Sequence, residues 1–346
     1  MQIEQIPKTM RALSAATLSV DGLALVEIPV PRPGAREILI RVSAVTLNSR
    51  DLSVLNGTYP AEVRTPLIPA SDACATVVEL GTGATRFKVG DRVIPVFTQG
   101  WVAGMPTQKM RFERMLGVPL EGVLREYMTV SEDDAVACPG NLSDIEGAAL
   151  PVAALTAWNV LQAAAVKPGA TVLLLGTGSV SLFALQFAKL AGATAIITSS
   201  SDLKLASATA LGADHTINYN THRDWPTVVK NLTKGRGADV VVDTAGTFSD
   251  SLRAIAFGGF LGVVGFTGAF DASFDLRLVI GMLTRIQGFA PGSRTSFEDM
   301  NRAISAHDLH PVIDRTFDFE DVVQALNYMG QGGHFGKIAI RVQGRS

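Results

Sequence analysis

Gly176 and Gly178 stand between an apolar run and an amphipathic one, in the order TVLLLGTGSVSLFALQFAKLAG over residues 171–192. The run at 171–175 fits a strand buried on both faces. Leu182, Phe183, Leu185, Gln186 and Ala188 fit a helix packed or half-packed on that sheet. A strand, a glycine turn and a helix start in succession make a phosphate cradle. Gly176 permits the tight turn, and Gly178 lets the backbone approach a pyrophosphate. The helix N-terminus, through Thr177, Ser179 and Val180, offers N–H groups and the positive end of its dipole. Ser181 takes the place of the third glycine of the usual dinucleotide fingerprint, a position that packs helix against strand and accepts a small residue.

The cofactor is expected to be NADP(H). An NAD-preferring domain carries Asp or Glu about 20 residues beyond the glycines, where it binds the ribose 2′-hydroxyl. Here the second strand ends Thr198-Ser199-Ser200-Ser201, and Lys204 follows. Serine hydroxyls can donate to a 2′-phosphate, and a lysine supplies the counter-charge. The alternative is that Ser200 or Ser201 caps the next helix, with Asp202 in its first turn and Lys204 in solvent. The two uses can coexist. Asp202 is the complication, because a modest rotation would carry it to the ribose.

The elements that must position these residues follow from the pattern downstream. Strand-like segments at 195–198, 215–218, 240–243, 260–264 and 284–289 alternate with helical ones at 202–211 and 225–234. That alternation predicts a doubly wound parallel sheet. Residues 8–135 differ, being rich in valine, proline and Gly-Asp turns, with β-alternation over 37–42, and they predict a separate β-rich domain. The KIAIRV run at 337–342 reads as a strand able to pair back onto that first domain. A chain of 346 residues is long enough for two domains. Its net charge of −2 gives no electrostatic case for nucleic acid or an anionic membrane. Residues 1–14 carry no apolar signal segment, and the apolar stretch 148–166 is interrupted by Pro151, Thr156, Asn159 and Gln162. Two cysteines, Cys74 and Cys138, build no disulfide framework, so a cytoplasmic, reducing location is expected. Cys74 reads as a small core residue.

Several motifs resemble, in order and spacing along nearly the whole chain, the medium-chain dehydrogenases/reductases, in particular their zinc-independent, quinone-oxidoreductase-like and zinc-type alcohol dehydrogenase-like members. They are NSRDL at 48–52, PLIPASDACATVVELG at 66–81, FKVGDRV at 87–93, GVLREY at 122–127, LTAW at 155–158, the glycine motif itself and HFGKI at 334–338. The resemblance implies a GroES-like β-rich catalytic domain at 1–142 and 296–346 and a Rossmann domain at 143–295, with a small-molecule substrate in the cleft and a homodimer as the assembly. It places Asn48, Ser71 and Val152 where zinc-dependent members hold their catalytic metal. Valine does not ligate, and an amide and a hydroxyl are poor zinc ligands, so no zinc is expected. The loop at 97–120 lacks the cysteines of a structural zinc lobe. His307 and His310 have ligand-like spacing but are expected to be solvated or capping.

With no Lewis acid, a polarised carbonyl must be held by hydrogen-bond donors. Asn48 is the candidate, being either a donor at the nicotinamide edge or a turn-stabilising asparagine. Tyr59 is either a proton or hydrogen-bond donor or an aromatic packing residue. Asp72 either orients Asn48 or caps a turn. The resemblance assigns Thr156 to the nicotinamide, the alternative being an ordinary buried helix threonine, and Tyr219 to the 2′-phosphate, and Thr244, Gly265, Phe266, Phe335 and Lys337 are expected at the cofactor as well. The loop 98–120, with Trp101, Met105, Met110 and Met115, is a pocket wall, a dimer contact or a surface excursion. The expected activity is NADPH-dependent hydride transfer to a quinone or an α,β-unsaturated carbonyl. The alternatives are a zinc-free alcohol dehydrogenase or carbonyl reductase and, in another class, a non-catalytic NADPH-binding sensor or structural protein.

Overall fold

The computed structural model describes residues 6–265, 273 and 275–342. Its strands, in chain order, are β1 (Thr9–Ala15), β2 (Leu23–Pro29), β3 (Glu37–Thr46), β4 (Asp72–Leu80), β5 (Arg92–Pro95), β6 (Tyr127–Ser131), β7 (Ala135–Ala137), β8 (Thr171–Leu174), β9 (Thr194–Ser199), β10 (His215–Asn218), β11 (Ala238–Asp243), β12 (Ile255–Val263), β13 (Arg285–Gly288), β14 (Ile313–Asp318) and β15 (Lys337–Arg341). The chain divides into two compact units, Met1–Leu155 with Gly292–Ser346, and Thr156–Pro291.

In the first unit a seven-stranded sheet runs β14-β15-β3-β4-β5-β7, with β6 also pairing β3. Alternation along β3 turns Ile38, Ile40 and Val42 inward, where they join Leu55, Val77, Val93, Phe319 and Leu326 in one apolar core. The carboxy-terminal run returns as the sequence pattern predicts, and β15 pairs antiparallel with β3. Its entry is tight. Gly336 has φ +98°, and a Cβ there would lie 2.4 Å from the carbonyl oxygen of Val312, so only glycine lets the chain pass.

The second unit is a six-stranded sheet in the order β10-β9-β8-β11-β12-β13, every pairing parallel. In chain order this is the 3-2-1-4-5-6 arrangement of a doubly wound dinucleotide fold. Residues 171–174 of β8 are all buried, as a central strand covered on both faces requires. β12 begins five residues before the expected 260, with a register shift against β11. Gly258 and Gly259 sit at that irregularity, which hides the strand from a search for continuous apolar runs. Residues 98–120 are not a bare loop, since a helix forms over Gln108–Glu113 behind a Thr107 cap. No helix among the described residues is long and apolar enough to cross a membrane.

Candidate functional site

The phosphate cradle lies at the carboxyl ends of β8, β11 and β12. Gly176 has φ +75°, which the turn demands, and its N–H donates to Thr198 Oγ1 at 3.1 Å. Gly178 is different. It caps the helix Ser179–Leu190 with φ −78°, a conformation open to any residue. Among the described residues, a Cβ at 178 would meet no atom within 4 Å beyond its own chain neighbours. Folding makes no demand for glycine there, whereas a pyrophosphate lying against the backbone would. The cap uses no side chain, so the helix start keeps the character of an anion site. Ser181 does what the missing glycine would: fully buried, it donates from Oγ to the Leu175 carbonyl at 2.8 Å, pinning helix to strand. Thr244 Oγ1 donates to the same carbonyl at 2.6 Å. Gly265 is sterically required, because a Cβ would stand 2.5 Å from the Thr244 carbonyl oxygen. Phe266 lies outside the described residues.

At the end of β9, Ser199 is buried, and its Oγ lies 3.3 Å from Thr177 Oγ1. Ser200 is exposed, and Ser201 caps the helix Asp202–Ala210 by accepting from the Lys204 N–H at 3.4 Å. Capping therefore occurs as the alternative reading expects, and it leaves the Ser200 and Lys204 side chains outside the cap. Asp202 is held by Asn218, whose Nδ2 donates to Oδ1 at 2.7 Å. Tyr219 is exposed, its N–H bonded to the Ser199 carbonyl at 3.1 Å. The residues present fit a dinucleotide.

A second cluster is built inside the first unit by strand register. Position 46 of β3 faces Asp72 of β4 on one side and Ala339 of β15 on the other. Leu47 and Asn48 follow β3, and Lys337 opens β15, so three distant segments meet. The Lys337 ammonium donates to the Leu47 carbonyl at 3.1 Å, to Asn48 Oδ1 at 2.8 Å and to Asp72 Oδ2 at 3.1 Å. An ammonium has three donors, and all three are taken. The Lys337 and Asp72 side chains are fully buried. Ser71 Oγ donates to the other Asp72 oxygen at 3.0 Å. Because Lys337 can only donate, the Asn48 atom facing it is the oxygen, and the amide nitrogen is turned away. That Nδ2 is buried and has no hydrogen-bond partner among the described residues. Lys337, assigned by resemblance to the cofactor, is thus committed to Asn48 and Asp72. Asp72 acts on Asn48 through it.

Asp51, which the sequence did not single out, is fully buried one turn into the helix Ser49–Leu55 and accepts from the Asn48 N–H at 2.8 Å. Burial pushes its carboxyl up to about 6, with Asp72 adding to the rise and Arg50, the Asn48 N–H and Lys337 opposing it. Only its position three residues after Asn48, ready to accept from the cap backbone, marks it in sequence. Tyr59 is half-buried, its ring under the Arg50 guanidinium at 4.7 Å and packed on Val54, Leu67 and Val118. Arg50 also donates to the Leu116 carbonyl at 3.0 Å and covers Phe97, tying the 98–120 segment to this helix. Trp101 and Met115 are buried, whereas Met105 is exposed. Thr156 is buried in the first turn of the helix Leu155–Ala163, after a π-helical turn, Leu150–Ala154, that contains Val152. Phe335 donates its N–H to Asp314 Oδ1 at 2.8 Å. His310 lies beside Glu146, Nδ1 to Oε1 2.7 Å, on an exposed surface.

Zinc does not fit this cluster. Asn48 already accepts from a cation, Ser71 donates to Asp72, Val152 has no ligand atom, and Lys337 puts a fixed positive charge among them. No group of three His, Cys, Asp or Glu residues among the described residues is arranged to hold a metal ion. Cys74 and Cys138 form no disulfide, and Cys74 is buried as expected.

Residues 34–140 match the model of the alcohol dehydrogenase GroES-like domain, and residues 179–306 match that of the zinc-binding dehydrogenases. A zinc-type alcohol dehydrogenase-like protein of Schizosaccharomyces pombe is 37% identical over 93% of this chain and 96% of its own. The 2-methylene-furan-3-one reductase of Solanum lycopersicum is 30% identical over 97% of this chain and 80% of its own. Among solved structures, a provisionally assigned alcohol dehydrogenase of Sinorhizobium meliloti 1021 superposes with a TM-score of 0.93 at 39% identity, covering 98% of this chain and 100% of that one.

Proposed function

The chain belongs to the zinc-type alcohol dehydrogenase-like family of the medium-chain dehydrogenases/reductases, NAD(P)-dependent oxidoreductases, and from that membership we propose that it reduces quinones or α,β-unsaturated carbonyls with NADPH and without a metal. The observation that carries this reading is the Asn48 amide, its oxygen fixed by a buried ammonium and its Nδ2–H without a partner among the described residues. A buried donor with nothing to donate to is a group waiting for an acceptor. When bound, a reduced nicotinamide supplies a hydride from C4. Asn48 donates to the acceptor oxygen as negative charge gathers there. A conjugated acceptor spreads that charge, so one neutral donor suffices where an unactivated ketone would call for a Lewis acid. The proton that completes the reduction comes from water. The Solanum relative is named for an acceptor whose methylene is conjugated with a ketone, which supports the same class.

The test is loss of NADPH absorbance with a panel of quinones, enones and saturated alcohols. Quinones or enones should show much the higher kcat/KM, and Asn48→Ala should cut kcat by about 10- to 1000-fold. Faster turnover of alcohols, with Asn48→Ala as active as the parent, would overturn both acceptor and donor. Binding of NADPH without consumption on any acceptor would favour the non-catalytic sensor.

The same reading includes a homodimer. Among the described residues, β13 is the last strand of its sheet. In the helix before it, Leu276–Met282, Leu278 and Val279 pack half-buried on the core, whereas Leu276 and Ile280, with Leu283 just after, are exposed. Such an edge needs cover. A monomer by light scattering at micromolar concentration would refute it.

A further inference from the structure

We propose that Lys337 is a positioning residue for hydride transfer, holding and polarising the Asn48 amide so that its Nδ2–H becomes a fixed, strengthened donor. This rests on the reading of Asn48 as the donor to the acceptor oxygen. An asparagine side chain can rotate and can present either oxygen or nitrogen. The ammonium at 2.8 Å from Oδ1 removes that freedom, because only the oxygen can face a group that solely donates. A positive charge on Oδ1 also draws electron density from the amide nitrogen, and linked hydrogen bonds of this kind reinforce one another.

The remaining bonds keep the ammonium in place. The Leu47 carbonyl accepts at 3.1 Å and comes from the residue next to Asn48, so the lysine follows the same backbone as its target. Asp72 balances the charge and is itself tied by Ser71. With no donor left over, Lys337 has nothing to offer a cofactor phosphate or ribose directly. The cation that a metal would contribute to carbonyl reduction is here a lysine of the chain, acting through one amide. No bond to Lys337 is made or broken, and its proton stays on Nζ throughout.

The experiment is a double-mutant cycle on the full-length protein with an enone and NADPH, using Lys337→Met, Asn48→Ala and the double variant. Lys337→Met should lower kcat by about 10- to 100-fold. The dissociation constant of NADPH, read by its fluorescence without any acceptor, should stay within about twofold. In the Asn48→Ala background the same change should cost less than about threefold, because residues that act as one unit are not additive. Lys337→Arg, which keeps the charge, should recover part of kcat. Lys337→Met strands Asp72 in the core, so Lys337→Met/Asp72→Asn serves as the neutral version if the single variant does not fold, and it should show the same fall in kcat at unchanged NADPH affinity. Multiplying losses in the cycle, or NADPH binding weakened along with kcat, would overturn the inference while Asn48 kept its role. An Asn48→Ala enzyme as active as the parent would instead overturn the underlying reading.

Discussion

At Gly178 the second unit leaves room and offers backbone, whereas around Lys337 the first unit fills every gap and commits side chains. Apart from its own chain neighbours, the glycine position has no atom of the described residues within 4 Å of where a Cβ would be. The lysine has three acceptors within 3.1 Å and no exposure. A cofactor that is bound and released many times is suited to an open cradle of N–H groups, since a backbone dipole costs little to leave solvated between visits. A charge meant to act on one developing oxyanion is better built in, because it is then oriented before the reaction starts and needs no rearrangement during it. The contrast teaches where each unit is fragile. The cradle fails by being filled, and the cluster fails by being unbalanced.

The largest effect should come from unbalancing the cluster. Asp72→Ala leaves the Lys337 ammonium buried without its counter-charge and should cost about 3–5 kcal/mol in urea unfolding. Removing both charges in Asp72→Ala/Lys337→Met should restore a good part of that loss. Equal stability of the single variant and the parent would show that the pair is solvated and the comparison false.

Asp51 sharpens the same side by its pH dependence. Its folded pKa, about 6, lies above the ordinary 3.8. The folded protein therefore holds this proton more tightly than the unfolded chain does. The resulting stability is present in full below pH 4 and is lost as pH rises through 6. From below pH 3 to above pH 7 this one group should remove about 3 kcal/mol. Asp51→Asn stays neutral and keeps an acceptor for the Asn48 N–H, so its stability relative to the parent should improve as pH rises over that window. A pH-independent difference would remove Asp51 from the buried cluster.

The cradle should break in the opposite way. Gly178→Val fills space that only a ligand would use, so NADPH affinity should fall by about 100-fold or more. Stability should change by no more than about 1 kcal/mol, the scale of altering a helix cap. A large loss of stability with binding intact would mean that the space serves the fold.

The smallest effect concerns the choice of cofactor. Lys204→Ala should weaken NADPH binding by about 10- to 100-fold, the worth of a hydrogen bond to a charged group. NADH binding should hardly move. Asp202, already bonded to Asn218, should not take over the ribose. Equal losses for both cofactors, or a parent that prefers NADH, would show that Lys204 does not read a 2′-phosphate.

The two sites also differed in how far the chain announced them. Everything in the cradle from strand to helix lies within residues 171–192, so local spacing declares it, and even Ser181 could be understood as a small packing residue. The strand series and the returning tail were equally legible, because burial on one or two faces writes itself into alternation and apolar runs. β12 began earlier than its apolar pattern, since an irregular strand with Gly258 and Gly259 does not present a continuous face. Asn48 was visible as a candidate, but its partner was not. Lys337 is 289 residues from Asn48 and 265 from Asp72, and the resemblance had assigned it to the cofactor, not to this pair.

What the sequence determined by itself is therefore the glycine turn, the doubly wound sheet around it and the β-rich first domain; that 48, 71 and 152 are the places to look for metal ligands came only from the family resemblance. The turn, the sheet and the domain depend on residue type and short-range spacing, which local backbone geometry enforces. Tertiary structure alone decided that Lys337 faces Asn48 and Asp72. That contact depends on the register of β15 against β3 and of β3 against β4, and a slip of one residue would turn the lysine to the other face of the sheet. Register is fixed by the packing of the whole core, so no window of sequence contains it.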